Sequence, residues 1–310
     1  MRPVVRSRSP APAWLGVEIG GTKLQVGVGD GNGRLHHLVC QSVARGAGAN
    51  GILRQLQETI PPILHRYPVR AIGVGFGGPV DSPRGGVITS HQVAGWDGFP
   101  LRRWFERQFA VPTMVENDSN CAAFAEARCG AGRGFRAVFY TNIGTGIGGG
   151  FVLDGVLYQG RFGAMEIGHT WVWRDGREHT VESLASGLAI ERGVSTPRQA
   201  ARLVGVAVAN VVTLLNPDVV VVGGGVGLAG KNFLGPLRTT VRRLVFAPFR
   251  GNYRIVPSRL RDAVVVVGAI LLAAQSGQGR GARKAAGHRV IGRITSQSKS
   301  TSRNWNGGRA

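Results

Sequence analysis

The chain has 310 residues, 43% of them hydrophobic, and a mean hydropathy of +0.02, which suits a soluble protein with one large or two medium cores. Its longest apolar runs, such as 263–274, are too short to span a bilayer, and the leading "MRPVVRSRSPAPA" has no apolar h-region, so neither a membrane span nor a secretory leader is expected. The net charge is +21, but eleven of the positive charges lie in the acid-free stretches 1–12 and 277–310, so the intervening body is only moderately basic at +10.

In chain order, Leu15 to Ile19 reads as a strand, Gly20-Gly21-Thr22 as a bend, and "KLQVGVG" as a returning strand of period two. "GILRQLQETIPPILHRY" (51–67) predicts an amphipathic helix interrupted at Pro61-Pro62. "AIGVGFGGPVD" is a strand ending in a Gly-Gly-Pro turn. "FPLRRWFERQF" is a helix with Leu101, Trp104, Phe105 and Phe109 on one face. "VPTMVEND" is a short strand, followed by a small-residue helix to Gly130.

The next stretch, "RAVFYTNIGTGIGGGFVLDGVLYQG", poses a choice. Gly144-x-Gly146-x-Gly148 has the spacing of a dinucleotide loop, but such loops open a helix. Here a second strand follows, with a turn at Asp154-Gly155. The glycines are therefore expected at the bend of a β-hairpin, where bare backbone N–H groups approach an anion closely. "AARLVGVAVANVVTLLNP" is a buried helix stopped at Asn216-Pro217, "DVVVVGGGV" a buried strand entering a glycine turn, and "DAVVVVGAILLAAQ" a closing strand or helix. Strands and helices alternate, so the class is α/β. The Gly/Ser/Arg-rich segment 277–310 is expected to be disordered. The three cysteines, Cys40, Cys121 and Cys129, have no metal-like spacing and fit a reducing compartment.

Chemistry-bearing residues gather in two places. Asp118 stands between a strand and a helix and reads either as a general base or as the helix N-cap; a helix N-terminus is expected to lower its pKa. Glu166, His169 and Glu182 lie among glycines, and with Asn117 and Asp118 they supply the paired donors and acceptors that sugar hydroxyls need. Two Gly/Thr-tipped hairpins, at Gly20–Thr22 and Gly144–Gly150, begin two halves of the chain about 125 residues apart. Facing loops of that kind resemble the two-lobed actin-like ATPase and sugar-kinase (ribonuclease H-like) fold.

The blocks "VEIGGTKLQVGV", "GVGFGGPVD", "VENDSNCAAFAEA", "TNIGTGIGGGFVLDGVLYQGRFGAMEIGH", "VESLASG" and "NPDVVVVGGGV" resemble, in order, those of the ROK family of repressors and sugar kinases. The resemblance implies a first lobe over 13–116 completed by 263–276, and a second over 117–262. It implies a cytoplasmic hexose kinase, as a homodimer, using ATP and Mg²⁺, with glucose as the leading acceptor. Fructose, an N-acetylhexosamine, polyphosphate as donor, or a silent sugar-binding regulator are the alternatives. By motif, Asp118 would be the base. Gly78, Asn117, Glu166, His169 and Glu182 would bind sugar. Gly20, Gly21, Thr22, Lys23, Thr145, Gly146, Gly223, Gly224 and Gly225 would bind nucleotide, with Glu18 facing the Mg²⁺ shell.

Four departures stand out. Glu18 replaces a usual Asp. Gln92 replaces an Asn before Gly-Trp. Trp173, Asp175 and Thr180 occupy the places of three zinc-binding cysteines, so no structural zinc is expected. Only about a dozen residues separate "ASGLAI" from the buried helix, where the family usually has a few dozen. About a dozen residues precede the first strand, so neither a helix-turn-helix module nor specific nucleic-acid binding is expected.

Overall fold

The structure, a computed structural model, describes residues 12–43, 45–90, 92–160 and 165–276. The basic segment 277–310 lies outside them, as do residues 161–164 of the glycine-rich stretch before Glu166.

Among the described residues two five-stranded sheets carry the fold, and they repeat one pattern. In the first, β1 (Ala13–Ile19), β2 (Lys23–Gly29) and β3 (Leu35–Ser42) form an antiparallel meander; β4 (Val69–Phe76) and then β7 (Thr113–Asn117) add in parallel beside β1. A small ribbon, β5 (Val80–Asp81) with β6 (Gly86–Val87), follows β4. In the second sheet β8 (Ala137–Ile143), β9 (Ile147–Leu153) and β10 (Val156–Tyr158) make the meander, and β13 (Val219–Gly223) and β14 (Arg254–Pro257) add in parallel beside β8. A second ribbon pairs β11 (Trp171–Arg174) with β12 (Arg177–Thr180). Both glycine bends thus join the first two strands of their sheets.

Alternation along β1 shows how the first sheet is used. Leu15, Val17 and Ile19 point into a core with Ile52, Leu56 and Ile60 of α1 (Gly48–Arg66) and with Leu101 and Phe105 of α2 (Leu101–Phe109). Trp96 fills that core edge-on to Phe76 and Phe99. The opposite face is paved with glycine. A Cβ on Gly16 would run into the Val266 carbonyl, and one on Gly73 into the Ala269 carbonyl. Both partners belong to the final helix, α8 (264–276), which therefore lies directly on the sheet backbone. The segment left open as strand or helix is this helix.

Helix α3 (Asp118–Cys129) packs beside α8 so closely that a Cβ on Gly268 would strike the Cys121 carbonyl. A shared core joins α3, α8 and the second sheet, through Phe124, Val138, Tyr140, Val221 and Leu271. The other face of that sheet is covered by α6 (Pro197–Leu215) and α7 (Lys231–Leu244), with α4 (Val181–Ala185) and α5 (Gly187–Glu191) preceding them. Helix α6 is long and apolar enough to cross a membrane by length and composition, yet Val204, Val208 and Val212 are buried against the sheet, and Thr196 with Gln199 forms a capping box at its start.

One expectation is corrected. Helix α1 is not interrupted at Pro61-Pro62 but continues through both. The two rings stand at exposed positions, and Gln57 and Glu58, whose carbonyls lose their donors, are exposed as well. Water can satisfy those carbonyls, while Leu56, Ile60 and Ile63 on the buried side keep the apolar stripe unbroken.

Candidate active site

The site forms where β7 passes into α3. Asn117 caps that helix: its Oδ1 accepts from Ser119 N at 2.9 Å and Asn120 N at 3.1 Å, and its Nδ2 donates to the Gly78 carbonyl at 3.1 Å. The capping role read for Asp118 therefore falls to its neighbour. Asp118 opens the first turn instead. Its Oδ1 accepts from Ser119 N at 2.6 Å and Ser119 Oγ at 3.2 Å. Its Oδ2 faces Gly77, where a Cβ would stand only 3.4 Å away.

The expected lowering of the Asp118 pKa is also corrected. Burial raises it from 3.8 to about 6, the Ser119 hydrogen bonds pull the other way, and the nearby Glu166 carboxylate adds to the rise. Desolvation outweighs the helix terminus because the carboxyl sits under the glycine turn rather than in open water.

Asp118 is shared by two cavities. One, of about 510 Å³, is lined by Gly78, Asn117, Glu166, His169 and Glu182, the full set read as sugar-binding. The other, of about 240 Å³, is lined by Glu18, Thr22, Lys23, Gly224 and Gly225 from the nucleotide and metal set. Thr145 borders both. Gly146 borders the larger cavity alone, and Gly20, Gly21 and Gly223 border neither. Gly20 instead closes its bend by donating to the Lys23 carbonyl at 3.0 Å, Gly21 lies against the Gln92 side chain, and Gly223 is packed under Tyr140. The bend of the second hairpin is confined to Gly144–Gly146, since β9 starts at Ile147 and takes Gly148 to Gly150 into the sheet.

Glu182, in the first turn of α4, accepts from Ile147 N at 2.6 Å and so ties the wall of the larger cavity to that hairpin. On the other wall Lys23 Nζ lies 3.1 Å from Glu18 Oε2 and donates to the Asp262 carbonyl at 3.1 Å. Burial pushes the Glu18 pKa up to about 7; Asp118 and Asp262 act in the same direction, and Lys23 opposes them. Among the described residues no group of three His, Cys, Asp or Glu side chains could hold a metal. Mg²⁺ needs no such cage, because it is commonly held by one or two carboxylates plus substrate phosphates and water. Glu18 at the rim of the smaller cavity fits that requirement.

The ROK family pattern matches residues 14–203 and 193–276. The chain belongs to the ROK family. A glucokinase of Thermotoga maritima is 28% identical to it over 84% of this chain and 96% of its own. A ROK family glucokinase from Streptomyces griseus, solved with glucose and AMPPNP, superposes with a TM-score of 0.76 at 30% identity, covering 85% of this chain and 99% of its own. The ROK hexokinase from Thermus thermophilus superposes at 0.75 with 31% identity over 86% of this chain and 99% of its own. The fold is the two-lobed actin-like ATPase and sugar-kinase fold.

Several site residues of this ROK chain were not singled out from sequence. Ser119 and Asn142 border both cavities, and Ser119 Oγ lies 3.0 Å from Asn142 Oδ1, which also accepts from Gly148 N at 3.1 Å. Glu116 is buried and accepts from Asn117 N and Asn120 Nδ2 at 2.9 and 3.0 Å, and from Gln159 Nε2. Their only sequence signal was their place inside the quoted family blocks. Arg261 and Asp262 of the smaller cavity had none, being about 140 residues beyond Asp118.

Proposed function

We propose that this ROK chain is an ATP-dependent hexose kinase with glucose as its favoured acceptor. The observation that carries the reading is Asp118, among the described residues the one acidic residue bordering both cavities. A sugar in the larger cavity and a triphosphate in the smaller one would meet at its Oδ2. The relatives that combine glucokinase names with near full-length coverage support glucose over the other hexoses.

In this reading Glu166, His169 and Glu182 hold the sugar hydroxyls, while Asn117 positions the Gly78 turn above them. Asp118 accepts the proton of the reacting hydroxyl. The hydroxyl oxygen forms a bond to the γ-phosphorus as the bond from that phosphorus to the β–γ bridging oxygen breaks, and ADP leaves with the electron pair. Thr22 and Lys23 beyond the first bend, and Gly144 and Thr145 of the second, border the smaller cavity and would face the phosphates. Mg²⁺, when bound at Glu18, would neutralise charge on the β- and γ-phosphates. A pKa near 6 leaves Asp118 mostly ionised at pH 7 and ready to take the proton. We propose the lobe division 13–116 with 263–276, and 117–262, so that each lobe brings one hairpin to the cleft. The homodimer expected from the family is checked by light scattering.

ADP release with Mg-ATP and a panel of hexoses and N-acetylhexosamines tests the assignment. Turnover on glucose is expected, falling at least about 100-fold in Asp118→Ala with glucose binding retained. Absence of turnover on every sugar by folded protein sinks the kinase reading.

A further inference from the structure

The smaller cavity has an imbalance of charge. Glu18, Asp118 and Asp262 bring three carboxylates to its wall, against the two cations Lys23 and Arg261. Lys23 is already engaged by the Glu18 carboxylate and the Asp262 carbonyl. Among the described residues the Arg261 guanidinium has neither an ion-pair nor a hydrogen-bond partner, and Arg261 is exposed. It is the free cation of a cavity whose proposed occupant is a polyanion.

The backbone at Arg261 is unusual as well. Its φ is +50°, in the left-handed region that disfavours residues with a Cβ. Such a conformation persists only where the surroundings impose it. They do so here from both sides. The fully buried Glu126 of α3 accepts from Ser258 Oγ at 2.6 Å and Leu260 N at 3.0 Å, with its other oxygen on Ala131 N at 2.5 Å. Ser258 Oγ in turn accepts from Arg261 N at 3.2 Å. From the first sheet, Lys23 holds the next residue's carbonyl. Glycine would fit this turn with less strain, so an arginine here is held against the preference of the local backbone.

We propose that Arg261 is a ligand to the phosphoanhydride chain of the phosphoryl donor, contributing the charge that Lys23 does not. The inference rests on the smaller cavity being the donor site of the proposed kinase. The shared chemistry, a chain of linked phosphates, has two sources: the triphosphate of ATP and inorganic polyphosphate. A planar guanidinium with its donors unengaged suits either.

The test is calorimetric binding of Mg-ATP and of inorganic polyphosphate to the full chain and to Arg261→Gly and Arg261→Gln, with glucose binding as the control. Arg261→Gly relieves the backbone, so a folded variant with a higher Tm is expected. Its affinity for Mg-ATP should fall about tenfold while glucose affinity is unchanged, and the loss should shrink as salt rises. A loss for ATP alone identifies the nucleotide as the source; a loss for both, or for polyphosphate alone, brings polyphosphate into the site. Equal affinities of wild type and both variants for both ligands overturn the proposal, as does a wild type that binds neither. Turnover of the wild type on sugars reads the kinase assignment separately, so binding without turnover removes that assignment and leaves Arg261 to be judged on affinity.

Discussion

As the proposed base, Asp118 would have to be desolvated enough to take a proton and ionised enough to hold none of its own. A pKa raised to about 6 meets both needs near neutrality and would make the proposed activity pH-dependent. As a base it works only when ionised, so kcat/KM is expected to fall about tenfold per pH unit below about 6, read from a profile between pH 4.5 and 8. Stability runs the opposite way. A carboxyl whose folded pKa lies above its unfolded value of 3.8 binds more protons in the native state between those limits, so its contribution to stability declines as pH rises from about 4 to about 6. Glu18, raised to about 7, has the same sign over a range reaching slightly higher. Asp118→Asn carries no charge to bury. It should therefore have a higher Tm than wild type at pH 8 and no such advantage at pH 4, in parallel thermal melts. Equal shifts at both pH values would mean that ionisation of Asp118 is not what costs stability.

At the scale of elements, what the sequence made legible followed from periodicity and turn chemistry. The alternation of Leu24, Val26 and Val28 located β2, and the turn at Asp154-Gly155 located the end of β9. The sugar set gathered in one cavity because its members lie in short motifs whose order along the chain carries their meaning. Two readings failed where a local rule met a tertiary one, and one residue of the cleft left nothing to read. Proline rules end α1 too early, because they say nothing about which side of the helix is wet. The Asp118 pKa was read from the helix terminus, and the glycine turn that buries it comes from a different strand. Arg261 reaches the cleft through a loop whose anchor, Glu126, is 135 positions earlier, so spacing carries no trace of it. That anchor makes a prediction of its own. Glu126→Ala leaves Ser258 Oγ and the N–H groups of Leu260 and Ala131 without their acceptor. A loss of about 3 kcal/mol in urea unfolding is expected, and a loss below about 0.5 kcal/mol would show that water replaces the carboxylate.

Across the whole molecule, two sheets of the same strand order hold two glycine bends on either side of one aspartate. Helices α3 and α8 join them, and α8 can do so only because the first sheet offers it bare backbone. Gly73→Val places a branched side chain where the Ala269 carbonyl now lies. It should lower unfolding free energy by about 3 kcal/mol, as overpacking of a tight contact does, and a change within about 0.5 kcal/mol of wild type in urea melts would mean that the helix shifts freely. The arrangement also has a consequence for how the protein is made. The strands of the first sheet are complete at Asn117, yet the helix that covers their glycine-paved face ends at residue 276. At ribosomal speeds of about 5–20 residues per second, that cover emerges about 10–30 s later. For that interval the nascent chain carries half a core with one side open, and synthesis of the last described helix is the event that covers the first sheet.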